Sequence, residues 1–174
     1  SSIQLYAGDI ALFKEHHDVI GLSLTKNDHR HIRHDITNPL PLPENSVDSF
    51  QAEDVFEHIE YSRLLPVVNE IYRVLKPGAN FRLSVPDYGC DVLSDRSFKD
   101  TSGNIVFDPL GGGTRQNPGH VWFPRIDSVK KLLENSDFGE SGEIEYLHYY
   151  LDDSFVVKTI DYAKGHVYRK TDLD

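Results

Sequence analysis

HDITNPLPLPENSVDSFQAEDVFEHIE, residues 34–60, and LLPVVNEIYRVLKPGANFRLSVPD, residues 64–87, carry the reading of the fold. In the first, Pro39, Pro41 and Pro43 each lack an amide donor and disfavour helix in the residue before them, so this stretch is an extended loop. Strand character returns over residues 47–52. In the second, Leu64, Val68, Ile71 and Leu75 recur at helical spacing. Lys76, Pro77 and Gly78 then end that helix with a basic last turn, a breaker and a turn former. Phe81, Leu83 and Val85 alternate with polar residues and predict the next strand, closed by Pro86.

Working outward, residues 3–5 with Ala7 and Gly8 read as a short buried strand running into a turn, residues 11–17 as a short helix and 19–24 as a second apolar run. A weaker third run closes at Asp35 and Ile36. Beyond the irregular stretch 88–119, with Gly111, Gly112 and Gly113 in a row, Ile126, Val129, Leu132 and Leu133 mark a further helix. Residues 144–151 and 167–169 read as late strands. Strands alternating with helices predict an α/β, mainly parallel sheet covered on both faces, and no linker divides residues 1–174, so a single domain is expected. A doubly wound sheet places its ligand crevice beyond the carboxyl ends of its strands. Gly8, Asp35, the residues after Ala52 and Asp87 all fall at such ends.

The bulk numbers narrow the partners. The chain has 18 basic and 28 acidic residues and a net charge of −10, without clustering of the basic residues, which argues against a nucleic-acid partner. The 39% hydrophobic content contains no run long enough to span a membrane. Cys90 is the single cysteine, so no internal disulfide forms, and with no signal-peptide pattern at the amino terminus a cytoplasmic location is expected.

Residues 34–87 closely resemble the central region of the class I S-adenosylmethionine-dependent methyltransferases of the type 11-like group. The resemblance implies a Rossmann-like doubly wound, mostly parallel seven-stranded sheet with an antiparallel last strand. The strands at Ile3, Val19, Val47 and Phe81 are then neighbours in the order second, first, fourth, fifth. It also implies S-adenosyl-L-methionine as cofactor. The stretch IQLYAGD resembles the cofactor loop of the family: Gly8 matches the glycine that lets the backbone approach the cofactor, with Tyr6 and Ala7 before it, although Tyr6 stands where glycine is usual. Ser23 takes the place of the acid that holds the ribose hydroxyls, with Asn27 or Asp28 as substitutes. Asp35 is placed to accept from the adenine amino group and Ile36 to pack on the ring. Glu53 and Asp54 lie nearest the crevice, Asp54 where a polar residue stands over the transferred methyl.

For catalysis, His120 is the candidate base, with Asp87 or Asp54 to orient it; its alternative is a half-buried histidine packed beside Trp122. Glu57 reads as an acid at a helix start. His29, His31 and His34 lie in a polar stretch without further ligands, so no metal is expected. The likeness extends to small glycan-associated methyltransferases through IDYAKGHVYR, residues 160–169, which implies O-methylation of a sugar or other small-molecule hydroxyl. The acceptor would then be a small molecule or glycan, and a homodimer or a place in a larger polypeptide is compatible with the chain. The worn cofactor loop leaves a second reading, a catalytically degenerate binding or assembly module. A dinucleotide enzyme would need the G-x-G-x-x-G fingerprint, which is missing.

Overall fold

The computed structural model describes residues 2–10, 19–152 and 154–159. They divide into two compact units, one built from the described residues of 1–53 and 69–84, the other from 54–68 and 85–159.

The first unit is a five-stranded sheet of β1 (Gln4–Ala7), β2 (Val19–Ser23), β3 (His31–Arg33), β4 (Val47–Glu53) and β5 (Leu75–Ser84) in the order β3-β2-β1-β4-β5. All four pairings are parallel. Leu5 lies level with Ile20 and Phe50, and Ala7 with Leu22 and Ala52. Leu5, Ala7, Val19, Leu22, Val47, Phe50 and Ala52 are buried, as expected of parallel strands covered on both faces. The order β2-β1-β4-β5 is the one expected. The chain moves outward from β1 to β3 and then crosses back to β4 on the other side of β1. The order therefore reverses between β1 and β4, where such sheets bind their ligands.

Two finer expectations about the sheet are not confirmed within the described residues. Among the described residues it has five strands rather than seven, all parallel, and no antiparallel last strand joins it. The late strand begins only at His148: β8 (His148–Leu151) pairs antiparallel with β9 (Ser154–Val157) in a hairpin of its own, because its backbone groups are satisfied by the strand that follows it. The strand expected at 167–169 and the helix expected at 11–17 lie outside the described residues.

The helix α1 (Leu64–Val74) buries Leu64, Val67, Val68, Ile71 and Val74 along one stripe, the pattern that its spacing predicts. Lys76, Pro77 and Gly78 do not form a separate turn. Strand β5 starts immediately at Leu75, and an advance of two residues along β4, from Val47 to Ser49, is matched by an advance of five along β5, from Leu75 to Asn80. The Lys-Pro-Gly segment is extruded as a bulge, with Gly78 at φ 80°. The Lys76 ammonium returns to Asp48 at 2.9 Å, and the other Asp48 oxygen accepts from the Ile3 amide at 2.7 Å.

Arg73 and Glu70 clamp the proline loop. The Arg73 guanidinium donates to the carbonyls of Leu40 and Leu42 at 3.2 and 3.0 Å and to Glu70 at 2.6 Å, while Glu70 accepts the Leu40 amide at 2.8 Å. The bond from Arg73 holds the Glu70 carboxyl below the ordinary range. Its contribution is therefore present above the usual carboxylate pKa and is lost as pH falls through the lowered folded value. With Arg73 38% exposed, solvent screens the pair. Arg73→Ala is expected to cost about 1 kcal/mol in urea unfolding at pH 7, and progressively less as the pH falls through the lowered Glu70 value.

The second unit contains two 3-10 turns (Phe56–His58 and Tyr61–Arg63), α2 (Asp91–Arg96), the hairpin β6 (Phe98–Lys99) with β7 (Ile105–Phe107), α3 (Ile126–Asn135), α4 (Asp137–Ser141) and the β8–β9 hairpin. The Glu57 carbonyl accepts the amides of Val121 and Trp122 at 2.8 and 3.2 Å, tying the first turn to the segment before α3. Tyr61 stacks near Trp122, with ring centres 5.4 Å apart, and donates to the Ser128 carbonyl. No helix among the described residues is long and apolar enough to cross a membrane.

Candidate functional site

In the first unit the carboxyl ends of β1 to β4 bring the expected cofactor residues to one edge of the sheet. Strand β1 ends at Ala7, and Gly8 follows at φ 122°, a conformation strained for any side chain; its amide donates to the Leu22 carbonyl at 2.9 Å. A Cβ on Gly8 would meet only the ring of Tyr6, at 3.4 Å. The next turn is latched by His31, a buried residue and not part of a polar surface stretch. Its Nε2 accepts the Ile10 amide at 2.9 Å, so its Nδ1 carries the hydrogen and donates to Asp28 at 2.9 Å. Gly21 makes this packing fit, since a Cβ there would lie 2.6 Å from the Gly8 carbonyl and 2.7 Å from the His31 ring.

Ser23 does not have the capacity expected of it. It is 1% exposed, and its hydroxyl donates to Asp9 at 2.5 Å while accepting the amides of Thr25 and Lys26 at 3.1 and 2.9 Å. One proton and two lone pairs are all that a hydroxyl has, so a ribose hydroxyl would have to displace one of these bonds. Asp28, the substitute acid, is bonded to the Arg30 amide and to His31. The acid that Ser23 presents at this edge is Asp9, an exposed carboxylate 3.3 Å from the Lys26 ammonium. The Ser23 bond, ahead of Lys26, lowers its pKa. Asp35 is exposed after β3, where it accepts the amide and hydroxyl of Thr37 at 2.9 and 2.8 Å, and Ile36 beside it is buried. Glu53, buried at the end of β4, accepts from the Gln51 side-chain amide.

The second unit contains a different cluster. Asp54 is exposed at φ 53°, and Glu57, two residues past Val55, is 1% exposed rather than a solvated helix-start acid. Its Oε1 lies 3.7 Å from His58 Nε2 and 4.0 Å from His120 Nε2. The two imidazoles meet edge to face with ring centres 4.9 Å apart. His120 is not oriented by Asp87 or Asp54. Its Nδ1 lies 2.6 Å from the Tyr88 hydroxyl, which donates to Asp108 at 2.6 Å, and Asp108 is gripped by Arg96 at 2.8 Å and by the Leu110 amide at 2.9 Å. Asp87 instead accepts the amides of Gly89 and Tyr150 at 2.8 and 2.7 Å, which joins the chain after β5 to β8.

The electrostatics follow from these partners. Burial opposes charge on Asp108, but Arg96 and Tyr88 outweigh it and hold the carboxyl below the ordinary range. Burial, reinforced by the Asp108 carboxylate, pushes the Tyr88 phenol far up. His120 lies below the ordinary histidine range, first because of burial and then because His58 adjoins it. Its ring is therefore neutral at pH 7. The glycine-rich stretch is packed against it: a Cβ on Gly111 would lie 2.9 Å from the His120 ring, and one on Gly119 would overlap the Gly111 carbonyl.

A doubly wound parallel sheet with a glycine turn and an acid at its switch point defines the nucleotide-cofactor class of α/β proteins. Residues 8–83 match the family described as a methyltransferase domain. A probable S-adenosylmethionine-dependent methyltransferase of Mycolicibacterium smegmatis is 31% identical over 117 residues, which are 67% of this chain and 38% of the relative. The matched residues are thus similar to a methyltransferase domain, and the relative that shares the likeness is a probable S-adenosylmethionine-dependent methyltransferase. The chain spans well under half the length of the relative it matches.

Asp9, His31, Tyr88, Arg96 and Asp108 were not legible as site residues. Their partners lie 12 to 32 residues away in sequence, beyond any helix or strand period. The adjacent pair Glu57-His58 was the one local signal, a carboxylate beside an imidazole within an otherwise amphipathic passage.

Proposed function

We propose that this chain transfers the methyl group of S-adenosyl-L-methionine to a hydroxyl oxygen of a small molecule, with a sugar as the favoured acceptor. The observation that carries the oxygen acceptor is the neutral His120, whose Nε2 faces outward from the Tyr88–Asp108 chain and beside Glu57. An alcohol needs such a group, because its proton must leave as the oxygen attacks. His120 Nε2 would take the acceptor's hydroxyl proton as the oxygen attacks. The bound cofactor supplies the activated methyl group, and the protein supplies alignment.

The cofactor's residues fit the first unit. Gly8 leaves room for close backbone approach, Asp9 offers a carboxylate to the ribose hydroxyls, and Asp35 with Ile36 suits the adenine amino group and ring face. Glu53 and Asp54 close the list of residues proposed around it. The net charge of −10 favours a small molecule or glycan over nucleic acid as acceptor.

Calorimetry with S-adenosyl-L-methionine tests the reading. Micromolar binding is expected, and Asp35→Ala is expected to weaken it about tenfold or more by removing the acceptor of the adenine amino group. Release of S-adenosylhomocysteine in the presence of a panel of hydroxylated sugars would then identify the acceptor. An absence of binding at millimolar cofactor would instead favour the degenerate module.

A further inference from the structure

Glu57, His58 and His120 each turn one donor atom toward the same point in the second unit. Oε1 of Glu57 and one ring nitrogen of each histidine lie within 4.8 Å of one another. The 3.7 and 4.0 Å separations from Glu57 to the two Nε2 atoms are too long for hydrogen bonds. They are close to the edge of a tetrahedral site, about 3.3 Å for bonds of 2.0 to 2.1 Å. From Glu57 to either histidine, a closure of less than about an ångström would reach that edge.

The hydrogen-bond network determines which nitrogen of each ring is the donor. His58 Nδ1 lies 2.7 Å from the Gly119 carbonyl, which can only accept, so Nδ1 carries the hydrogen and Nε2 keeps a lone pair. Tyr88 spends its one proton on Asp108, which Arg96 holds as a carboxylate. The phenol oxygen must therefore accept from His120 Nδ1, and Nε2 of His120 keeps its lone pair too. Both rings are thus held by an oxygen behind them in the orientation and tautomer that metal-ligating histidines adopt.

We propose that Glu57, His58 and His120 bind a divalent first-row transition-metal ion, with zinc, cobalt, manganese and iron(II) as the candidate class. Two imidazoles and one carboxylate suit such ions better than magnesium or calcium, which favour all-oxygen sites. A dication between the donors would offset the cost of burying the Glu57 carboxylate. His58 is 45% exposed, which gives solvent an approach and leaves a coordination position open on that side. No sequence motif announces the site, because Glu57 and His58 lie far from His120 in the sequence, and the histidines at 29, 31 and 34 are not part of it. An ion bound here would take the Nε2 lone pair of His120 and acidify the attacking oxygen in its place, so the bound ion and the free His120 imidazole are alternative routes for the acceptor's proton, and the binding itself needs neither.

The test uses the full chain, freed of metal with a chelator, and neither cofactor nor acceptor. Zn²⁺ is titrated by calorimetry and Co²⁺ by visible absorption. One equivalent of each is expected with micromolar or tighter affinity, and Co²⁺ is expected to develop the d–d bands of a four- or five-coordinate site. His58→Ala, at a half-exposed position where folding is preserved, and the isosteric Glu57→Gln are each expected to weaken Zn²⁺ at least tenfold. His29→Ala and His34→Ala should bind as the parent does. The proposal is overturned if no saturable binding occurs at about 100 μM ion, if both cluster variants bind with parental affinity, or if the His29 and His34 variants lose the site instead. Metal binding without methyl transfer would sink the enzymatic reading alone, and methyl transfer unaffected by chelator with no metal bound would sink the metal site alone.

Discussion

His120→Ala is expected to lower methyl transfer by about 10²- to 10⁴-fold, the usual contribution of a positioned proton acceptor, while changing cofactor affinity less than about twofold. The side chain is 14% exposed and tied to Tyr88, so the variant will also lose some stability. Turnover must therefore be expressed per folded molecule, with the folded fraction read from thermal unfolding. Tyr88→Phe provides the second arm. It keeps the ring, removes the acceptor of the His120 Nδ1 hydrogen and leaves Asp108 paired with Arg96. Release of the imidazole from its fixed tautomer should cost turnover about 10- to 100-fold. If both variants melt earlier but turn over normally per folded molecule, His120 is a packing residue beside Trp122, and the proton acceptor lies elsewhere.

Asp9→Ala is expected to weaken S-adenosyl-L-methionine binding about 10- to 100-fold, a larger loss than that of any other single residue proposed at the sheet edge. The reason is the hydrogen-bond arithmetic at Ser23. With its proton given to Asp9 and both lone pairs taken by Thr25 and Lys26, the serine is a support, and the carboxylate it supports is the group able to take ribose hydroxyls. Ser23→Ala should then weaken the cofactor indirectly, by several-fold, because Asp9 and the 25–26 turn both lose their anchor. Calorimetry of both variants, with folding checked by circular dichroism, decides the matter. Parental affinity in a folded Asp9→Ala protein would place the ribose away from this turn.

The order of elements was open to reading from the chain itself. Apolar residues at helical spacing from Leu64, alternation around Phe81, prolines at 39, 41 and 43 and the glycine at 8 are local signals, since each reports the conformation of its own neighbourhood. They sufficed for the parallel order β2-β1-β4-β5 and for the likeness to a methyltransferase domain over residues 8–83. The Lys76-Pro77-Gly78 segment shows the limit of such signals. Its composition reports a break, but only pairing with β4 shows that the break is a bulge inside a strand.

The side-chain chemistry was decided at the tertiary level. Serine at 23 reads as a weak replacement for an acid until its hydroxyl is seen saturated by Asp9, Thr25 and Lys26. Glu57 reads as a helix-start acid until the backbone bonds from Val121 and Trp122 to its carbonyl draw the segment carrying His120 beside it. Asp87 reads as an orienter of His120 until it is found holding the Gly89 and Tyr150 amides, with Tyr88 in the orienting place. By itself, the sequence determined the alternation of strands and helices and the position of the glycine turn, because those depend on residues within a turn or a strand of one another. The tertiary structure alone decided which carboxylate Ser23 supports, which nitrogen of each histidine keeps its lone pair and which donors converge, because a hydrogen bond depends on the partner across it, and here those partners are distant in the chain.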